Sequence, residues 1–218
     1  MGEKIYVLLD VDGTLIEDRS GRFYSTWEAM LDTAGCEKAR TEKFLKRYLS
    51  AKEREKREIL GEWMKHDLNI LSRNYSAESV DRAMDRIFYT PGAVTFVRRA
   101  KERGWEVGLI SAGFTPLVER IADDLGVSIV LSVPMEYREG EFSYTGIVDA
   151  EEKAQKVREL KEEGYRVVYV GDGPNDWKAM KEADLAICVG RCSTNARLVR
   201  DFYQVLDVVE KYAGSCSG

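Results

Sequence analysis

The chain has 218 residues, 44% hydrophobic and 33% charged, with a formal net charge of -5, long enough to bury one large domain or a core with a smaller insert. That acidic balance gives no general pull toward nucleic acid or an anionic membrane, so an anionic ligand must be drawn by a local site. The longest apolar runs, such as residues 5–9 and 167–170, fall far below the roughly 20 residues that span a bilayer.

The opening stretch "MGEKIYVLLD" is too short in apolar residues for a signal-peptide core, and the expected location is the cytoplasm. It reads as a buried strand driven into two carboxylates, Asp10 and Asp12, with Gly13 to turn the chain. From about residue 16 to residue 90 the pattern is helical, with no strand of any length and Ser76 as an N-cap ahead of Val80, Met84, Ile87 and Phe88. The expected division is therefore a core of residues 1–15 and 91–218 and a helical cap of residues 16–90.

Beyond residue 90 strands and helices alternate. "WEVGLIS" (105–111), "SIVLSV" (128–133), "YRVVYVGD" (165–172), "DLAICVG" (184–190) and "FYQVLDV" (202–208) read as strands, apolar enough to be covered on both faces. Thr115 with Pro116, and Asp149 with Glu152, open helices; Gly104, Gly126 and Gly164 close them. "MEYREGEFSY" suits a hairpin with a four-residue loop. The fold class that results is α/β, a doubly wound, mostly parallel, Rossmann-like sheet with a small helical cap inserted after the first strand. Cys36, Cys188, Cys192 and Cys216 show no paired CxxC spacing, so no structural zinc is expected and Cys188 reads as a small buried side chain.

The two strand-end aspartates are separated by a single residue, Val11, and so share a side of the strand. Like charges held that close require either a proton or a cation, and Mg2+ with oxygen ligands is the ordinary solution. "YVGDGPNDW" brings Asp172, and one helical turn later Asp176, to the same edge of a parallel sheet, where open α/β sheets bind ligands. A phosphate ester approaching four carboxylates needs compensating donors. "LISAGF" supplies the Ser111 hydroxyl beside small Ala112 and Gly113, and Lys153 or its rival Lys156 supplies a positive charge.

The motifs "DVDGT", "SAG", Lys153 and "GDGPND", in that order and each beside a strand, resemble the four motifs of the haloacid dehalogenase superfamily, and the helical insert is similar to that of its phosphoserine phosphatase-like branch. The resemblance implies hydrolysis of a small phosphomonoester. Asp10 would be the nucleophile and Asp12 the general acid and base. Asp10, the Asp12 backbone carbonyl and Asp172 would hold Mg2+ with Asp176 in support, while Ser111, Ala112, Lys153 and Asn175 would bind the phosphoryl group. A phosphomutase or phosphotransferase would use the same pair of aspartates, and a phospho-accepting signalling domain is the alternative from another class.

The branch places an acidic residue nine positions after the nucleophile; here that position is Arg19, which favours anionic or hydroxyl groups on the substrate. Lys65 and His66 are the polar candidates on the cap, and Phe23, Tyr24, Trp27 and Trp63 form either an apolar substrate wall or the core of the insert. The expected partner is a small phosphorylated metabolite, with no nucleic acid or membrane and no indication of oligomeric state.

Overall fold

The computed structural model describes residues 4–18, 24–35, 38–190 and 196–216. In chain order, β1 (Lys4–Leu9) leads to β2 (Ile16–Glu17), then to α1 (Thr26–Thr33), α2 (Lys38–Ser50), α3 (Glu53–Ser72) and α4 (Ala77–Met84), and β3 (Phe88–Tyr89) brings the chain back. There follow α5 (Ala93–Glu102), β4 (Glu106–Ile110), α6 (Thr115–Leu125), β5 (Ser128–Leu131), β6 (Met135–Arg138), β7 (Glu141–Tyr144), α7 (Ala150–Glu162), β8 (Tyr165–Gly171), α8 (Trp177–Glu182), β9 (Leu185–Val189), β10 (Arg197–Val199) and α9 (Phe202–Cys216).

Six strands form one sheet in the order β10-β9-β8-β1-β4-β5, and each neighbouring pair is parallel. The strands are apolar on both faces because both faces are covered. Ile5, Val7 and Leu9 of β1, with Val168 and Val170 of β8, join a core that takes in α5, α6 and α9. Tyr6 and Leu8, with Val167 and Tyr169, point the other way into a core with Val157 and Leu160 of α7 and Ala179 and Met180 of α8. This alternation makes the fold a doubly wound α/β sheet.

The first core continues into the helical insert through Ala29, Met30, Leu68, Leu71 and Val80. At its neck β2 and β3 pair antiparallel, Ile16 with Tyr89 and Glu17 with Phe88, a ribbon the helical reading of residues 16–90 missed because two residues per strand carry no periodicity. Thr90 fastens the return to the first turn: its Oγ1 donates to the Thr14 carbonyl at 2.7 Å and its N–H to the Leu15 carbonyl at 3.0 Å.

Other expectations need correcting. Residues 202–208 are helical, and the sixth strand is residues 197–199. Phe202, Val205 and Val209 are all fully buried, a spacing of three and four that only a helix can aim at one face. Burying each is worth roughly 1.5–3 kcal/mol, which outweighs a β-propensity scale that spans only ~1 kcal/mol. The hairpin exists, but Arg138 pairs with Glu141, leaving a two-residue turn of Glu139 and Gly140 rather than a four-residue loop; both have positive φ, 51 and 87 degrees, as such a tight turn demands. Thr115 is the first residue of α6 after the cap Phe114, and its hydroxyl donates to the Val133 carbonyl at 2.5 Å instead. Cys188 is buried as expected, yet it is disulfide-bonded.

Candidate active site

The carboxyl edge of the sheet gathers the site. Asp10 continues β1, its N–H donating to the Val170 carbonyl at 2.9 Å. The chain then wraps tightly, with the N–H groups of Thr14, Leu15 and Ile16 all directed to the Val11 carbonyl around Gly13 at φ 79 degrees. That wrap aims Thr14 Oγ1 between two carboxylates, 3.1 Å from Asp10 Oδ2 and 3.4 Å from Asp172 Oδ1.

Of the two lysines, Lys153 is the one that the fold brings to the carboxylates. It lies one turn into α7, whose N-terminus is fixed by a capping box of Asp149 and Glu152. Its Nζ reaches 2.5 Å from Asp10 Oδ1 and 2.8 Å from Asp176 Oδ1, and the residue is 1% exposed. Lys156 instead pairs with Glu159 on the outer side of the helix. Burial opposes the charge on Lys153, but the Asp10 and Asp176 carboxylates outweigh it and hold the ammonium protonated.

Asp176 is immobilised from four directions: by Lys153, by the Tyr169 hydroxyl at 2.7 Å, and by the backbone N–H groups of Asp172 and Gly173 at 3.1 and 3.2 Å. Gly171 makes room for it, since a Cβ there would lie 2.6 Å from Asp176 Cγ. One oxygen from each of Asp10, Asp172 and Asp176 falls within 4.8 Å of the others. Burial first, then the neighbouring carboxylates, pushes Asp10 well up and Asp172 up to about 7. Three carboxylates against one ammonium leave two negative charges over when all are ionised, which a single divalent cation would cancel. Hard oxygen donors of this kind fit Mg2+.

Asp12 stands apart from that cluster. Its Oδ1 accepts the Thr26 N–H at 2.7 Å and its Oδ2 the Thr26 hydroxyl at 3.3 Å. Thr26 opens α1, whose start is held by a capping box of Ser25 and Glu28, so the helical insert delivers the donors that orient this carboxyl. Burial pushes Asp12 up to about 6 against the pull of those donors, a value suited to giving and taking a proton near neutrality. Its side-chain oxygens are not among those that cluster with Asp10, Asp172 and Asp176.

Ser111 is fully buried, its Oγ accepting the Gly113 N–H at 2.9 Å; Ala112, not Ser111, lines the cavity. Glycine is required at 113 because a Cβ would meet Thr26 Oγ1 at 2.3 Å, Asp12 Oδ2 at 2.8 Å and Ser111 Oγ at 2.9 Å. Asn175 lines the cavity beside Asp172. Arg19 and Phe23 lie outside the described residues.

The cavity, about 550 Å³, runs from Asp10, Asp12, Lys153 and Asp172 up to the helical insert. There the walls are Trp27, Leu31, Leu45, Leu60, Trp63 and Met64, with Glu28, Asp32 and Asp67 among them. Lys65 and His66 are not part of this wall; α3 turns Met64 and Asp67 inward instead. Tyr24 belongs to the insert's own core, its hydroxyl donating to Asp32 at 2.8 Å. Thr14, Thr26, Tyr169 and Asp67 escaped the sequence reading. Only Tyr169 left a mark there, as a polar-tipped side chain in an otherwise aliphatic buried strand, where a partner for the hydroxyl is required.

A family model described as haloacid dehalogenase-like hydrolase matches residues 7–181. The chain belongs to that family. It is 36% identical over 126 residues to a phosphoserine phosphatase of Archaeoglobus fulgidus, covering 54% of this chain and 36% of that one. It is 30% identical over 188 residues to a phosphoserine phosphatase of Streptomyces coelicolor, covering 83% of this chain and 43% of that one. The chain thus spans less than half the length of these two relatives. Among solved structures, a substrate-bound phosphoserine phosphatase matches with a TM-score of 0.75 at 23% identity, over 95% of this chain and 99% of that one. A phospho-aspartyl intermediate analogue of phosphoserine phosphatase matches with a TM-score of 0.72 at 24% identity, over 94% and 99%. The chain therefore shares their α/β architecture. No described helix is long and apolar enough to cross a membrane.

Proposed function

We propose that the protein is a Mg2+-dependent phosphatase that hydrolyses a small phosphomonoester through an aspartyl phosphate on Asp10, with residues 16–90 acting as a cap over the site and the cytoplasm as its setting. The observation that carries this reading is the trio Asp10, Asp172 and Asp176 around the buried ammonium of Lys153. Its likeness to phosphoserine phosphatases supports a phosphoserine phosphatase-like activity.

A carboxylate oxygen of Asp10 attacks phosphorus, and the bond from phosphorus to the substrate's alcohol oxygen breaks. Asp12, protonated at the start, gives its proton to that departing oxygen. Water then attacks the phosphorus of the aspartyl phosphate, Asp12 takes a proton from it, and the bond to Asp10 breaks to release phosphate and restore both carboxyl groups. Thr26 holds Asp12 in place through both steps. Lys153 steadies Asp10 and faces the charge on the phosphoryl oxygens, with Ala112 and Asn175 lining the phosphoryl site and the buried Ser111 hydroxyl holding the Gly113 N–H behind it. Mg2+, held by Asp10, Asp172 and the Asp12 backbone carbonyl with Asp176 in support, would neutralise charge on the reacting group.

The test is phosphate release from an aryl phosphate with Mg2+ present, its loss on adding EDTA and its return with excess Mg2+. Asp10→Asn should lower turnover by roughly a thousandfold or more while the melting temperature persists. Phosphoryl transfer to an added sugar, with no free phosphate, would favour the phosphotransferase alternative instead.

A further inference from the structure

Opposite the carboxylate trio, the cavity has an organic end whose chemistry is set by the insert. Trp27 and Leu31 come from α1, Leu45 from α2, and Leu60, Trp63 and Met64 from α3. Among them stand three acids, Glu28, Asp32 and Asp67. Lys153 is the one basic residue among the described lining residues, and it is committed to Asp10 and Asp176.

Each acid is anchored rather than free to swing away. Glu28 Oε2 accepts the Ser25 N–H at 3.0 Å, Asp32 accepts the Tyr24 hydroxyl at 2.8 Å, and Asp67 lies 2.9 Å from His66 Nδ1 while only 2% exposed. A carboxylate-bearing substrate end placed here would lose its water and face like charges. A cation would meet three carboxylates among apolar side chains that include two indoles, groups that attract positive charge strongly in such a setting. With a water occupying about 30 Å³ of liquid, the 550 Å³ cavity has space for a phosphoryl group and an organic portion well beyond three carbons.

Resting on the phosphatase reading above, we infer that the cavity's organic end selects a phosphomonoester whose alcohol portion is apolar or aromatic and carries a positive charge rather than a carboxylate. This runs counter to the anionic or hydroxyl groups that Arg19 favours, and a cationic and an anionic preference separate in one assay.

Three aryl phosphates that differ only at a remote position give that assay: 4-(2-aminoethyl)phenyl, 4-ethylphenyl and 4-(2-carboxyethyl)phenyl phosphate, hydrolysed with Mg2+ at neutral pH. Their phenols are closely matched as leaving groups, so differences in kcat/KM report the distal charge. The expected order is ammonium above neutral above carboxylate, with about tenfold between the extremes. Asp67→Asn and Glu28→Gln should each shrink the ratio of ammonium to carboxylate several-fold, and glutamine still suits the capping box at position 28. Equal rates or a reversed order in the parent protein would overturn the inference and leave the phosphatase reading standing, as would a ratio unmoved in both variants with their melting temperatures retained. Release of phosphate from none of the three esters would overturn both.

Discussion

Asp176 touches neither of the two proposed reacting aspartates directly, yet it fixes the lysine that does. Its Oδ1 is shared between Lys153 Nζ and the Tyr169 hydroxyl, so the tyrosine sets where the ammonium sits. Burial, then the Asp176 and Asp10 carboxylates, raises the Tyr169 phenol, which keeps it a donor at every physiological pH. Tyr169→Phe removes that donor without opening the core. The expected result is a folded protein, less stable by about 1–2 kcal/mol in denaturant titration, with kcat lowered about fivefold to thirtyfold and KM little changed. An unaltered kcat would make the hydroxyl a filler of the core only.

Among elements, the β6–β7 hairpin matters more than its short alternating pattern implied. Phe142 N–H donates to Ser72 Oγ at 2.9 Å and the Tyr144 hydroxyl to the Gly61 carbonyl at 3.0 Å, both on α3. Phe142 also sits against Tyr75, Phe114 and Tyr137, with ring centroids 4.7, 5.2 and 4.8 Å away. The hairpin thus clamps the helix that turns Trp63, Met64 and Asp67 into the cavity. The ion pairs from Arg57 to Asp149 and Glu152 join the same helix to α7, but Arg57 is half-exposed and such pairs contribute little. Phe142→Ala should cost about 2 kcal/mol, part of a full aromatic truncation because the ring is only partly buried, and should raise KM more than it lowers kcat. A fall in kcat alone would detach the hairpin from substrate binding.

At the scale of the whole molecule, the carboxylate edge ties stability to pH and metal. Asp10, Asp12 at about 6 and Asp172 at about 7 all lie above their ordinary value of 3.8. The folded protein therefore keeps protons that the unfolded chain has lost, and these groups make stability fall as pH rises from about 4 to 7. A cation competes with those protons. The rise in melting temperature on adding Mg2+ should accordingly be small at pH 5 and larger at pH 7.5, measured by thermal denaturation. Equal rises at the two pH values would contradict the linkage.

Much of this molecule can be read from its residues, for physical reasons that also mark the limits. Strands β1, β8 and β9 announce themselves because both faces are buried, and Asp10, Asp172 and Lys153 because each stands at the end or start of a well-signalled element. Helix α9 was obscured by Val205 and Val208, whose β-branching imitates a strand in the seven-residue window 202–208. Thr26 and Asp67 reach the site only through the folding of the insert onto the sheet, which no local spacing encodes. The Ser111 hydroxyl is likewise turned to the Gly113 N–H inside the fold, where it is fully buried.

In the proposed reaction the phosphoryl group passes through the Asp10 side chain. Rapid acid quench of the protein during turnover, followed by peptide mass spectrometry, tests it most directly. The expected result is one added phosphoryl group on the peptide containing residue 10, sensitive to base as an acyl phosphate is, and absent in Asp10→Asn. A phosphoryl group on another residue, or full turnover with Asp10 replaced, would contradict it.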